Sequence, residues 1–120
     1  FTNLINMFDT RPGRAVKFFI FFSILLTVMA PGRILLLTII MSPVILYFPM
    51  DIKGRIMLGD TGSNILGGIL GMTSILILDG IKQVLTVILL IALHYIGDRY
   101  SFTKIIKGSK ILSYIDNLGR

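Results

Sequence analysis

The sequence has no cysteine, no glutamate and a single histidine, and only 15% of its 120 residues are charged. Without cysteine there is no disulfide framework, no zinc–thiolate site and no thiol nucleophile. All the acidity rests on six Asp, set against twelve Lys and Arg, for a net charge of +6. Apolar residues, by contrast, are abundant: 54% come from the set AVILMFWYC, twelve more are Gly, and the mean hydropathy is +0.86. Soluble domains carry roughly 45–50% apolar residues with glycine counted in. This composition excludes a disordered chain and argues against an ordinary soluble globule. On a soluble protein the basic excess would suggest nucleic acid. On an apolar chain it suggests a membrane protein with basic cytoplasmic loops, and no nucleic-acid partner is expected. The chain opens on Phe1 and a dense polar motif begins at Thr2 with no signal-peptide pattern before it, so the C-terminal part of a longer chain is expected.

Four apolar stretches stand out, at Val16–Ala30, Ile34–Met50, Thr61–Leu78 and Ile81–Gly97. A bilayer crossing takes about 20 residues, and lipid offers exposed backbone groups no partner, so helices are expected. The first stretch is short unless Arg14 and Ala15 extend it and Lys17 snorkels. Helix breakers separate the stretches: Ala30-Pro31-Gly32-Arg33 between the first two, and Asp79-Gly80 between the last two. The expected fold is therefore all-α and polytopic, with about four transmembrane helices and both ends cytoplasmic. Residues 1–15 carry a polar motif leading to the membrane, 16–97 the four spans with a cytoplasmic loop at 51–60, and 98–120 a basic amphipathic tail lying on anionic lipid.

Sidedness follows from charge. Ten basic residues (Arg11, Arg14, Lys17, Lys53, Arg55, Arg99, Lys104, Lys107, Lys110 and Arg120) fall on the side of the two ends, and only Arg33 and Lys82 on the other. That asymmetry puts the first side in the cytoplasm. Tyr47, Tyr95, Tyr100 and Tyr114 lie at the same boundary, as tyrosines at headgroup level do. Five of the six Asp and His94 also fall there. Any chemistry then sits at the inner membrane surface, where a soluble and anionic molecule meets one held in lipid.

Three clusters could carry it. Asn3, Asn6 and Asp9 recur every third residue and share one helix face, with Arg11 and Arg14 following. Amides both donate and accept, so the stripe suits a base or sugar, and the arginines suit phosphate. A polar cap at the membrane boundary, followed by Pro-Gly and basic anchors, explains the same residues equally well. The second cluster, Gly59-Asp60-Thr61-Gly62-Ser63-Asn64, opens the third stretch. A helix N-terminus attracts phosphate, and an Asp beside phosphate is a natural magnesium ligand. The plainer reading is an N-cap. Gly67, Gly68 and Gly71 beyond it suit close helix packing. The third cluster runs from His94 to Ser101 and includes Arg99. A lone His at a span end is usually a packed residue, but it can also bind phosphate or shuttle a proton.

Taken together, Asn3-x-x-Asn6-x-x-Asp9, Gly59-Asp60-Thr61-Gly62-Ser63-x-x-x-Gly67-Gly68 and His94 after the next hairpin resemble the polyprenyl-phosphate N-acetylhexosamine-1-phosphate transferases. Phospho-N-acetylmuramoyl-pentapeptide transferase and undecaprenyl-phosphate N-acetylglucosamine-1-phosphate transferase belong to this family. The resemblance covers nearly the whole chain. It implies transfer of a sugar-1-phosphate from a UDP-sugar to a polyprenyl phosphate, with release of UMP and with Mg2+, at the cytoplasmic face of the cell membrane. It implies Asp60 as magnesium ligand, Asp60, Asp9 and His94 as catalytic groups, and Asn3, Asn6, Arg11, Arg14, Ser63, Asn64 and Arg99 as substrate contacts. A homodimer is a further expectation. Where the family carries a second Asp three residues after Asp9, this chain has Pro12, and the family's His-rich loop is reduced to one His. The family's N-terminal Asp pair is absent, so the chain corresponds to the C-terminal half and is expected to be inactive alone. The alternative is a non-catalytic scaffold or degenerate relative. A small transporter is disfavoured because the mid-span polar residues are all Ser or Thr.

Overall fold

The computed structural model describes residues 1–100 and 102–118. Ser101, which closes the third cluster, and the basic Arg120 lie outside the described residues. Among the described residues seven α-helices follow one another: α1 (Thr2–Phe8), α2 (Arg14–Met29), α3 (Ile34–Ile52), α4 (Gly59–Ile77), α5 (Gly80–Arg99), α6 (Phe102–Gly108) and α7 (Lys110–Asn117). A 3-10 turn at Pro31–Arg33 joins α2 to α3. No strand occurs among the described residues, so the chain is all-helical as its composition implies.

The expected stretches map onto α2 to α5 with edges moved by a few residues. Pro31-Gly32-Arg33 and Asp79 lie between the long helices, and Gly80 opens α5. α2 begins at Arg14, directly after Gly13 in the left-handed region (φ 78°). α4 begins at Gly59 rather than Thr61, and Leu78 and Asp79 are extended before α5 starts at Gly80. Pro43 and Pro49 lie inside α3.

α2 is the centre of the packing. Ala15, Val16, Phe19, Phe22, Ser23 and Leu26 are buried, a stripe at helical spacing. α4 answers with Ser63, Leu66, Gly67, Leu70, Thr73, Ser74 and Ile77. The mid-helix hydroxyls turn back on their own helices: Ser74 Oγ donates to the Leu70 carbonyl at 2.7 Å and Thr27 Oγ1 to that of Ser23 at 2.8 Å. α5 contributes no buried residue at all. Its Val84, Leu85, Val87, Ile88 and Ile91 all stand more than half exposed.

Among the described residues α5 is the one helix long and apolar enough to cross a bilayer, with 20 residues and a hydropathy of 1.7. α2, at 16 residues, rises only about 24 Å, short of a hydrocarbon core of about 30 Å. α4 has 19 residues, but its first six, Gly59 to Asn64, are Gly or polar.

Contacts sort the molecule into two ends. At one end the Gly13 N–H reaches Asp51 at the close of α3, Arg14 reaches Thr103 and Asp116 in the tail, and Gly97 abuts Met7 and Phe102. Phe8 stacks between Phe18 (4.5 Å) and Phe102 (4.3 Å). At the other end Lys82 Nζ donates to the Met29 carbonyl at 2.9 Å, at the C-terminus of α2 where a cation is favoured. Gln83 Nε2 ties α5 to the Ile75 and Leu78 carbonyls at 3.0 and 2.9 Å. The N-terminal segment, the C-terminal end of α3 and the tail thus converge.

Candidate functional site

The first two polar clusters lie far apart in sequence and meet in space. α1 packs lengthwise on α4. Gly67 permits this approach, because a Cβ there would run into the Thr2 backbone. Gly71, one turn on, faces the Phe1 ring. Gly68 faces open space, so of the glycine pair only Gly67 serves the packing.

Where α1 and α4 meet, Ser63 Oγ donates to Asn6 Oδ1 at 3.2 Å and also lies 3.1 Å from the Asp60 carbonyl. Asp9 caps the C-terminus of α1 and takes a hydrogen bond from the backbone of Gly59. Gly59 has φ 64°, a left-handed conformation that a side chain would strain. Asp9 is held above the ordinary carboxylate range, chiefly by burial, with the nearby Asp60 charge adding to the effect and the Gly59 bond opposing it. Asp60 itself, in the first turn of α4, is exposed, as are Asn64 beside it and Asn3 on α1. Asn6, Asp9, Asp60 and Ser63 therefore form one patch.

A second carboxylate adjoins this patch. Asp51 is 1% exposed, and its Oδ2 accepts the Gly13 N–H at 3.1 Å. Burial raises its pKa, and the charge of Asp9 raises it further against the pull of that hydrogen bond. Charge counting alone places Asp51 among the five acids of one side and gives it no role. Its position, directly after an apolar run containing two prolines, was the available signal, since a carboxylate at such a boundary needs a partner.

The donor chemistry fits a hard cation. No group of three or more His or Asp among the described residues is arranged to hold a metal. Magnesium, however, is usually bound through one or two carboxylates, with water and substrate phosphate completing the shell. Asp60, with Asp9 next to it, offers that number.

The basic residues are placed differently. Arg14, expected to hold phosphate, is 4% exposed. Its Nε and Nη2 donate to Asp116 Oδ1 and Oδ2, both at 2.8 Å. Its Nη1 donates to Thr10 Oγ1 at 3.0 Å and Thr103 Oγ1 at 3.1 Å. Four of its five N–H groups are thus committed inside the protein. Arg11 remains partly exposed, 3.9 Å from Asp116, and lines an open depression with Pro12, Ile52, Lys53 and Gly54. His94 stays on its own helix. Its Nδ1 lies 3.0 Å from the Leu90 carbonyl one turn back on α5. Arg99 is exposed, its guanidinium 5.8 Å from the centre of the Tyr95 ring. The patch and the residues around His94 thus belong to one end of the bundle, without a hydrogen bond that links His94 to Asp9 or Asp60 among the contacts described.

Comparison with family models, with curated proteins and with solved structures finds no match for this chain.

Proposed function

We propose that this chain forms part of a membrane glycosyl-1-phosphate transferase that moves a sugar-1-phosphate from a UDP-sugar to a polyprenyl phosphate. In this reading α5 crosses the cell membrane, α2 to α4 pack in it as shorter or partly polar helices, and the convergent end faces the cytoplasm. What carries the reading is the junction of two motifs 57 residues apart, Asn6 with Ser63 and Asp9 with Gly59 and Asp60, at the end that holds most of the basic residues. A lipid-borne phosphate and a water-soluble nucleotide sugar can meet only at such a boundary.

In the reaction an oxygen of the lipid phosphate attacks the β-phosphorus of the UDP-sugar. The bond from that phosphorus to the bridging oxygen breaks, and UMP leaves. Little covalent work falls to the protein, and catalysis is positioning and charge neutralisation. Asp60, with Asp9 beside it, would hold Mg2+, which when bound offsets the charge of the two phosphates. Asn6, fixed by Ser63, presents its amide donors to the nucleotide, and the exposed Asn3 and Asn64 flank it. Arg11 supplies positive charge from the neighbouring depression. His94 Nε2 and Arg99 belong to the same end and complete the substrate contacts.

The commitment of Arg14 to Asp116 favours a second reading on one point: it removes a phosphate contact that an active enzyme would use. A non-catalytic scaffold with the same fold would keep it so. The two readings part in one assay. Asp60→Asn in the protein reconstituted as its gene encodes it should abolish Mg2+-dependent UMP release and leave membrane insertion intact. Turnover unchanged by the substitution overturns the role of Asp60, and no release from the unsubstituted protein with any UDP-N-acetylhexosamine favours the scaffold.

A further inference from the structure

The tail docks the wrong way round for a helix in water. α7 turns its polar side inward: Asp116 is 7% exposed and gripped by Arg14. Lys17 Nζ donates to the carbonyls of Ile115, Asp116 and Leu118, each at 2.9 Å, closing the C-terminal end of α7. The apolar side faces outward. Ile111, Tyr114, Ile115 and Leu118 follow one another at steps of three, one and three, a single stripe on a helix, and are 74, 70, 47 and 55% exposed. Asp116 lies on the opposite side of the same turns.

Two observations identify what covers the stripe. α6 begins at Phe102, three residues after the last residue of α5, the helix with the length and apolarity of a span; the tail therefore leaves at the level where lipid headgroups stand. Lys104, Lys107 and Lys110 are all exposed along α6 and the start of α7, a charge that matches anionic headgroups. We infer that α6 and α7 lie in the plane of an anionic bilayer surface, the Ile111–Leu118 stripe dipped into it. The Arg14–Asp116 pair and the Lys17 cap set the roll of α7, so that its apolar side meets lipid. The inference rests on the membrane reading of α5 and is independent of any transferase activity.

The chain has no Trp, so single substitutions give site-specific fluorescence. The test places Tyr114→Trp or, as a reference within α5, Ile88→Trp in the full protein, in nanodiscs of phosphatidylglycerol and phosphatidylcholine with and without brominated acyl chains. Both probes should emit to the blue of free Trp and lose intensity with brominated lipid, Tyr114→Trp more strongly with bromines near the headgroup end. Replacing Lys104, Lys107 and Lys110 with Gln should weaken insertion of the tail probe by about fivefold per lysine and leave the α5 probe unchanged. Quenching of Ile88→Trp without quenching of Tyr114→Trp overturns the tail assignment and leaves the membrane reading standing. A blue-shifted but unquenched tail probe assigns the stripe to a second copy or another protein segment and overturns it equally. Failure of both probes overturns the membrane reading and the tail assignment with it.

Discussion

Asp116→Ala tests how the tail is held. The substitution removes two hydrogen bonds of 2.8 Å from a guanidinium that is 4% exposed. Stranding one member of a buried ion pair costs about 3–5 kcal/mol when the other cannot escape to water. Here it can escape. Among the apolar residues of α6 and α7 only Ile106 is buried. The core cluster centred on α2 and α4 contains no residue of α6 or α7. The variant therefore relieves the stranded charge by letting the tail lift, and Arg14 rehydrates while the bundle stays folded. A loss of about 3 kcal/mol raises the open population roughly a hundredfold. Limited trypsin digestion in detergent reads this directly, because Lys104, Lys107 and Lys110 are exposed cleavage points within the tail. Cleavage there should accelerate by about that factor, with the melting temperature of the remaining protein little changed. An unchanged cleavage rate refutes the claim that the ion pair holds the tail. A collapse of the whole melting transition refutes the claim that the tail is a separate layer.

Further outcomes follow from the packing and the carboxylates. Gly67→Ala should destabilise by about 1–3 kcal/mol, the cost of overpacking a tight contact, because its Cβ meets the Thr2 backbone; Gly68→Ala, facing open space, should be neutral or stabilise by up to about 1 kcal/mol through the better helix former. Thermal melts of the two variants side by side check the pair, and equal effects would contradict the described approach of α1 to α4. Asp9 and Asp51 are both raised above the ordinary value of 3.8 by burial, so the folded state binds their protons more tightly than the unfolded one and stability should fall as pH rises from about 4 through the raised values. Asp51→Asn keeps an acceptor for the Gly13 N–H while removing the charge facing Asp9, so it should flatten that slope; a slope unchanged by the substitution would show that Asp51 is not its source.

The helices were legible because apolar periodicity and breakers agree in this chain. Pro31-Gly32 follows the end of α2 and Asp79-Gly80 marks the start of α5, whereas Pro43 and Pro49 are accommodated inside α3. The meeting of Asn6 with Ser63 has no local signal, since spacing alone leaves the Asn stripe divided between a nucleotide contact and a boundary cap. What stayed hidden were the partners of charges. Nothing local distinguishes Arg14 from Arg11, yet one is sealed against an Asp 102 residues away and the other faces a depression. Long-range ion pairs are set by where helices end up, which periodicity does not encode. The inward direction of the tail's polar side depends on Arg14 and Lys17, contacts about 100 residues apart that nothing in the local sequence encodes.

α5 buries none of its residues and is moored mainly near its ends, by Lys82 and Gln83 at one and by the fit of Gly97 against Met7 and Phe102 at the other. A rod fastened that way responds to its surroundings along its length. The pressure and thickness of whatever surrounds the exposed middle set its bow and tilt. His94 rides near one mooring, only three residues before Gly97. Its distance from the Asp9–Asp60 patch is thus set by the fit of Gly97 against Met7, and the exposed middle of α5 can bend without changing it.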